Sequence, residues 1–163
     1  MTNQGWDLPR EGVGAVVDAK GRVRGTAFWL APTVAVSGAH GISNCGDGPI
    51  LLAPAVGPET SVAVLKVDPD PEIDLAVLST AAAPPGVRFF SLVVGRALGE
   101  TVVSHGYPVD RPRTMFPTGF PMDPAQVSGT VMLRWNKIDN LVLVLADAAP
   151  APGQSGGPAF SLT

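Results

Sequence analysis

The stretch GTAFWLAPTVAVSGAH, residues 25–40, sets two short apolar runs back to back. GTAFWLAP and TVAVSG are each four to eight residues long and end at turn formers, too short for helices and rich in residues that suit a pleated surface. The same style extends outward in both directions. GVGAVVD starts at Gly12, SVAVLKVD at Ser61 and DLAVLS at Asp74, and later come ETVVSHGYP from Glu100, QVSGTVML from Gln126 and NLVLVLAD from Asn140. DAKGRVRG, around Gly21, reads as a hairpin turn between the first two strands. The 19 glycines and 17 prolines are spread along the chain and argue against long helices. The expectation is an all-β chain in two halves, residues 1–80 and 87–163, joined by the linker AAAPPG at 81–86. Residues 109–124 hold four prolines and no clean periodicity, so they read as a long surface loop of the kind that often carries function. Phe28, Trp29 and Trp135 read as core packing.

Composition narrows the function. A chain of 163 residues with mean hydropathy +0.26 is long enough for one domain with a true core. A net charge of -3, with only 15% charged residues, supplies neither a basic stripe for a phosphate backbone nor a polybasic patch for a membrane, so nucleic acid and membrane are not expected partners. The start, MTNQGWDLPREG, lacks the basic and apolar segments of a secretion signal, and no run approaches the about 18 apolar residues of a membrane span. Cys45 is the single cysteine, which forbids an internal disulfide and fits a reducing, cytoplasmic setting. It reads as a loop or partly buried thiol, since no ligand partners bunch around it and His40 to hold a metal.

Near the end of the chain stands PGQSGGPAF, residues 152–160, where a lone serine lies among glycines that strip side chains from the backbone around it. A hydroxyl is a weak nucleophile at neutral pH and needs a neighbouring base oriented by a carboxylate. Two histidines are available. His40 ends TVAVSGAH, where a strand enters a small-residue turn that would present the imidazole at a rim. His105, in VVSHGYP, reads as a structural strand-end residue. Asp74, between Ile73 and an apolar strand, suits a partly buried acid. Asp68, Asp70 and Glu72 lie just before it, but interleaved prolines and a missing glycine hinge are unlike a calcium loop, so these three read as a solvated turn.

Taken together, GTAFWLAPTVAVSGAH, DLAVL and DAAPAPGQSGGPAF, in the order His, Asp, Ser, resemble the chymotrypsin-like (trypsin-fold) serine peptidases, and especially the bacterial branch that includes the high-temperature-requirement peptidases. The resemblance runs from about Gly12 to Phe160. It implies two Greek-key six-stranded barrels and a serine endopeptidase acting on proteins or peptides without cofactor or metal. His40 would be the general base, Asp74 its orienting carboxylate and Ser155 the nucleophile. The N–H groups of Gly153 and Ser155 would form the oxyanion hole, and Gly156 and Gly157 would let the chain pass without blocking the substrate. Ala149, six positions before the serine, would line the primary pocket and favour small or medium apolar side chains. Gln154 stands where digestive members carry an acid that pairs with a freed N-terminus, so activation by N-terminal trimming is not expected. Only eight residues follow Ser155, too few for the family's closing strands. The second barrel is therefore expected to be incomplete, and a further domain or chain, as in a larger bacterial protein, is the expected partner that completes it. Two other readings follow from the same residues: a non-cleaving peptide-binding or scaffold domain, and a viral polyprotein peptidase on the same fold.

Overall fold

The structure, a computed structural model, describes residues 8–92, 101–107, 125–135, 141–146 and 156–161. The quoted stretch forms β2 (Val23–Ala31) and β3 (Val34–Ser37), which pair antiparallel with Ala27 opposite Ser37 and Trp29 opposite Ala35. Before them β1 (Val13–Val17) pairs with β2 through the expected hairpin. The turn is held by Asp18, whose Oδ1 accepts the N–H of Lys20 and of Arg22, both at 2.9 Å. β4 (Leu51–Pro54), β5 (Val62–Ala63), β6 (Lys66–Asp70) and β7 (Leu75–Ser79) complete a seven-stranded sheet in the order β5-β4-β1-β2-β3-β7-β6.

That order shows how the sheet closes. Laid flat, its edge strands would stand about 29 Å apart at ordinary strand spacing. Yet β5 and β6 are consecutive in the chain, joined only by Val64 and Leu65, a connection that reaches at most about 11 Å. The sheet must curl until its edges meet. The two joining residues stitch the seam: Val64 N–H donates to Ile50 O at 2.9 Å on one side, and Leu65 N–H to Ser79 O at 2.7 Å on the other. SVAVLKVD, expected as one strand, is thus a strand broken at the seam of a barrel, and counting its halves as one leaves the expected six strands. Asp68 and Asp70 consequently lie on β6, exposed, rather than in a turn.

Alternation along β1 assigns its two faces. All five of its residues are buried. Val16 joins Ala27, Trp29, Ala35, Leu52, Ala76 and Leu78 inside the barrel. Val13, Ala15 and Val17 point the other way, packing with Ala53, Ala55 and Tyr107 from the second half. Trp29, fully buried, fills the barrel as expected, whereas Phe28 is only half-buried and meets Phe90 edge to face at 5.8 Å. A large apolar side chain so buried contributes about 1.5–3 kcal/mol, and Tyr107 places part of that energy at the junction between the halves.

Among the described residues the second half forms a four-stranded antiparallel sheet, ordered β10-β9-β8-β11. Its strands are β8 (Thr101–Gly106), β9 (Ala125–Trp135), β10 (Leu141–Ala146) and β11 (Ala159–Ser161). The architecture is the expected all-β one. β4 and β11 carry no alternation long enough to mark them in the sequence. The expected loop at 109–124 lies outside the described residues, as does the side chain of Trp135. A short helix, α1 (Ala39–Ser43), replaces the turn expected after β3. No helix among the described residues is long and apolar enough to cross a membrane.

Candidate active site

The register between β3 and β7 brings His40 to Asp74 across 34 residues of sequence. Ser37 pairs with Ala76 in that antiparallel ladder. Carried two residues further, the register sets Ala39 opposite Asp74, and the Ala39 N–H donates to the Asp74 carbonyl at 3.2 Å. The next residue is His40, whose N–H donates to Asp74 Oδ1 at 2.9 Å while its ring lies with Nδ1 2.6 Å from Asp74 Oδ2.

Asp74 therefore does two jobs. The first turn of α1 begins at Gly38, which has no side chain to cap it, so the free N–H groups of a helix start are met by Asp74 from the turn entering the neighbouring strand β7. Its backbone adopts φ 53°, the only left-handed value among the described non-glycine residues. Aspartate is among the few residues that enter this region readily. There it turns both its carbonyl and its carboxylate toward α1. Contrary to the expectation of a partly buried acid, Asp74 is half exposed, with a side-chain accessibility of 52% equal to that of His40. The reason is its place at the rim, in the turn entering β7.

The electrostatics assign the proton. Desolvation raises the Asp74 pKa, but hydrogen bonds from the His40 backbone and ring, with the attraction of the imidazole, outweigh it and hold the carboxyl below its ordinary value. An ionised carboxylate can only accept, so Nδ1 carries the hydrogen of this contact, and in the neutral form of the ring the lone pair lies on Nε2. An exposed imidazole so arranged can take a proton from a nucleophile.

Of the other expected site residues, Ser155, Gly153, Gln154 and Ala149 lie outside the described residues. Gly156, next to the serine in the chain, is described. It has φ 86°, and a methyl group on it would overlap the Thr26 carbonyl oxygen, 2.6 Å from Gly38 N and 2.7 Å from Ser37 Oγ. A glycine is thus required at 156 because β2 and β3 crowd it, whereas the sequence suggested clearance for substrate. Gly38 faces the same junction: a methyl carbon there would stand 3.5 Å from Gly156 N and 3.6 Å from His40 Cε1. One point in space thus touches both the histidine ring and the backbone beside Ser155. Thr26 and Ser37, not singled out from sequence, wall this junction. Their only signal is that each is a small polar residue set inside an apolar run.

Two remaining candidates are structural. His105 is buried on β8, opposite Gln126. Cys45, buried in the turn after α1, donates through Sγ to Gly41 O at 3.5 Å. Burial, helped by the nearby Asp18 charge and partly countered by Arg24, pushes its thiol up to about 11, which leaves it an unreactive packing residue. No group of three or more His, Cys, Asp or Glu among the described residues could hold a metal ion.

Comparison with known proteins places this arrangement. The family model described as a trypsin-like peptidase domain matches residues 25–163. The chain belongs to the trypsin-like peptidase family. Among solved structures, this trypsin-like peptidase domain superposes on the serine endoprotease from Yersinia pestis with a TM-score of 0.69 at 20% identity, covering 98% of this chain and 53% of that one. It superposes on an inactive serine-to-alanine mutant of Rv3671c from M. tuberculosis with a TM-score of 0.67 at 19% identity, covering 99% of this chain and 74% of that one. At such identities the likeness is one of fold. The chain spans about half the length of the Yersinia endoprotease. No curated protein matches it.

Proposed function

We propose that this trypsin-like peptidase domain is a serine endopeptidase that cleaves peptide bonds through an acyl-enzyme, and that it works as the protease module of a longer protein. The observation that carries the reading is the junction at Gly38, where the His40 ring, oriented by Asp74, and the backbone of Gly156 approach a common point. In the proposed reaction Ser155 Oγ attacks the substrate carbonyl carbon while its proton passes to His40 Nε2. Asp74 steadies the resulting imidazolium. The N–H groups of Gly153 and Ser155 receive the oxyanion, each such donor contributing about 10²–10³ in rate. As the tetrahedral adduct collapses, His40 returns the proton to the departing amine, and a water then releases the acyl group by the same path. Ala149 lines the primary pocket in this reading and sets a preference for small or medium apolar side chains. The half-exposed His40 is consistent with a base that a substrate can reach.

The test is intact mass after exposure to a fluorophosphonate, beside a Ser155→Ala control. A single adduct on the wild type that is absent from the control is expected. An unlabelled wild type would overturn the reading in favour of a non-cleaving peptide-binding domain.

A further inference from the structure

Thr26 stands where four segments meet. It is fully buried on β2. Its carbonyl oxygen accepts the Ser37 hydroxyl at 2.6 Å, and its own Oγ1 accepts the backbone N–H of Tyr107 at 2.9 Å. The same carbonyl closes off the space beside Gly156. Register explains the convergence. β8 and β11 pair with Ala159 opposite Ser104, so continuing the ladder sets Gly156 opposite Tyr107. β2 and β3 pair with Ala27 opposite Ser37, so the next step sets Thr26 opposite Gly38. The end of β3 leading to His40, the end of β8, and the backbone following residue 155 are all referred to one threonine.

We propose that Thr26, with Ser37, is a positioning residue of the active site: it sets the separation between His40 and Ser155 by clamping the β8/β11 end of the second half onto the end of β3. The proposal rests on the peptidase reading above. Thr26 touches neither substrate nor reacting atoms and acts through Gly156 and Gly38. Both of its oxygens are engaged, one on each side of the junction, which is what a spacer between two halves requires. A valine of nearly the same shape would keep the packing and lose the acceptor for Tyr107 N–H.

The test is the kinetics of fluorophosphonate labelling, as kinact and KI per folded molecule, for the wild type, Thr26→Val, Thr26→Ser and Ser37→Ala. Loosening a catalytic group by about 1 Å can lower a rate about 10²-fold. A fall in kinact of that order is therefore expected for Thr26→Val, with KI unchanged, a smaller fall for Ser37→Ala, and recovery in Thr26→Ser. A merely structural threonine would lower the folded fraction and leave kinact alone. Folded Thr26→Val and Ser37→Ala proteins that label at the wild-type kinact would overturn the proposal while leaving the peptidase reading intact. If Thr26→Val does not fold, Ser37→Ala decides by the same criterion. A wild type that does not label removes the peptidase reading, and hydrogen exchange then decides the clamp. Protection in peptides covering 101–107 and 156–161 should fall in Ser37→Ala while that of 66–79 holds, and equal protection throughout would overturn it.

Discussion

Two carboxylates of the first barrel make similar hydrogen bonds in opposite settings. Asp18, in the β1–β2 turn, is buried to 1% side-chain accessibility and accepts from Lys20 N–H, Arg22 N–H and the Arg22 and Arg24 guanidinium groups. Asp74, at the rim, accepts from the backbone and ring of His40 while half exposed. In each, desolvation opposes ionisation and hydrogen bonds overcome it. At Asp18 the Arg22 N–H, the Arg24 guanidinium and the Lys20 N–H lead, holding its carboxyl far below the ordinary range. The difference lies in what each holds. Asp18 ties down the two arginines of its own hairpin and so fixes a turn, whereas Asp74 holds through Nδ1 a half-exposed imidazole. A buried, fully engaged acid holds structure; an exposed acid with one engaged imidazole is the pair that the proposed chemistry uses.

That contrast can be broken in three ways. The largest effect is expected from Asp74→Asn, which keeps the left-handed backbone but presents an amide to Nδ1 and so favours the wrong tautomer. Peptidase turnover should fall by about 10⁴-fold with little change in thermal midpoint. A large loss of stability, with the activity per folded molecule preserved, would mean that Asp74 is only a helix cap. Asp18→Ala should do the reverse. It strands buried donors and two guanidinium groups, and a loss of about 2–4 kcal/mol in urea unfolding is expected, with the labelling rate per folded molecule unchanged.

The smallest effect sharpens the comparison in acid. Both carboxyls titrate lower in the folded chain than in the unfolded one, so each contributes stability above the ordinary value of 3.8 and loses it as pH falls below that value toward the folded one. Urea midpoints measured at about pH 6 and about pH 3 should therefore drop in the wild type. Asp18→Asn should remove most of that drop and Asp74→Asn little of it, because the half-exposed pair is screened by solvent. Equal contributions from the two would erase the distinction drawn here.

Much of this was legible in the residues. Alternating runs marked β1, β2, β3 and β7, and the turn at Gly21 was plain from composition. The pairing of His40 with Asp74 was expected from the resemblance that the motif order carries, and the structure sets Nδ1 2.6 Å from Oδ2. Three features were not legible. The break between β5 and β6 is hidden in SVAVLKVD, where Val62, Val64 and Val67 all pack against the core and only the exposure of both Leu65 and Lys66 between them marks the change of phase. Asp74 looked suited to burial because its neighbours in sequence are apolar, yet Ile73 itself is 67% exposed. The glycine at 156 invited an explanation from the substrate side, and the crowding came instead from Thr26, Ser37 and Gly38.

The sequence by itself determined most of the strands, the hairpin turn at Gly21 and which side chains are candidates for acyl-transfer chemistry, because those properties depend on neighbours a few residues away. The tertiary structure alone decided what those side chains face. Closure of the sheet, the alignment of β3 with β7 and the seating of Gly156 on Thr26 depend on residues 14 to 130 positions apart, and register between distant strands leaves no local periodicity to read.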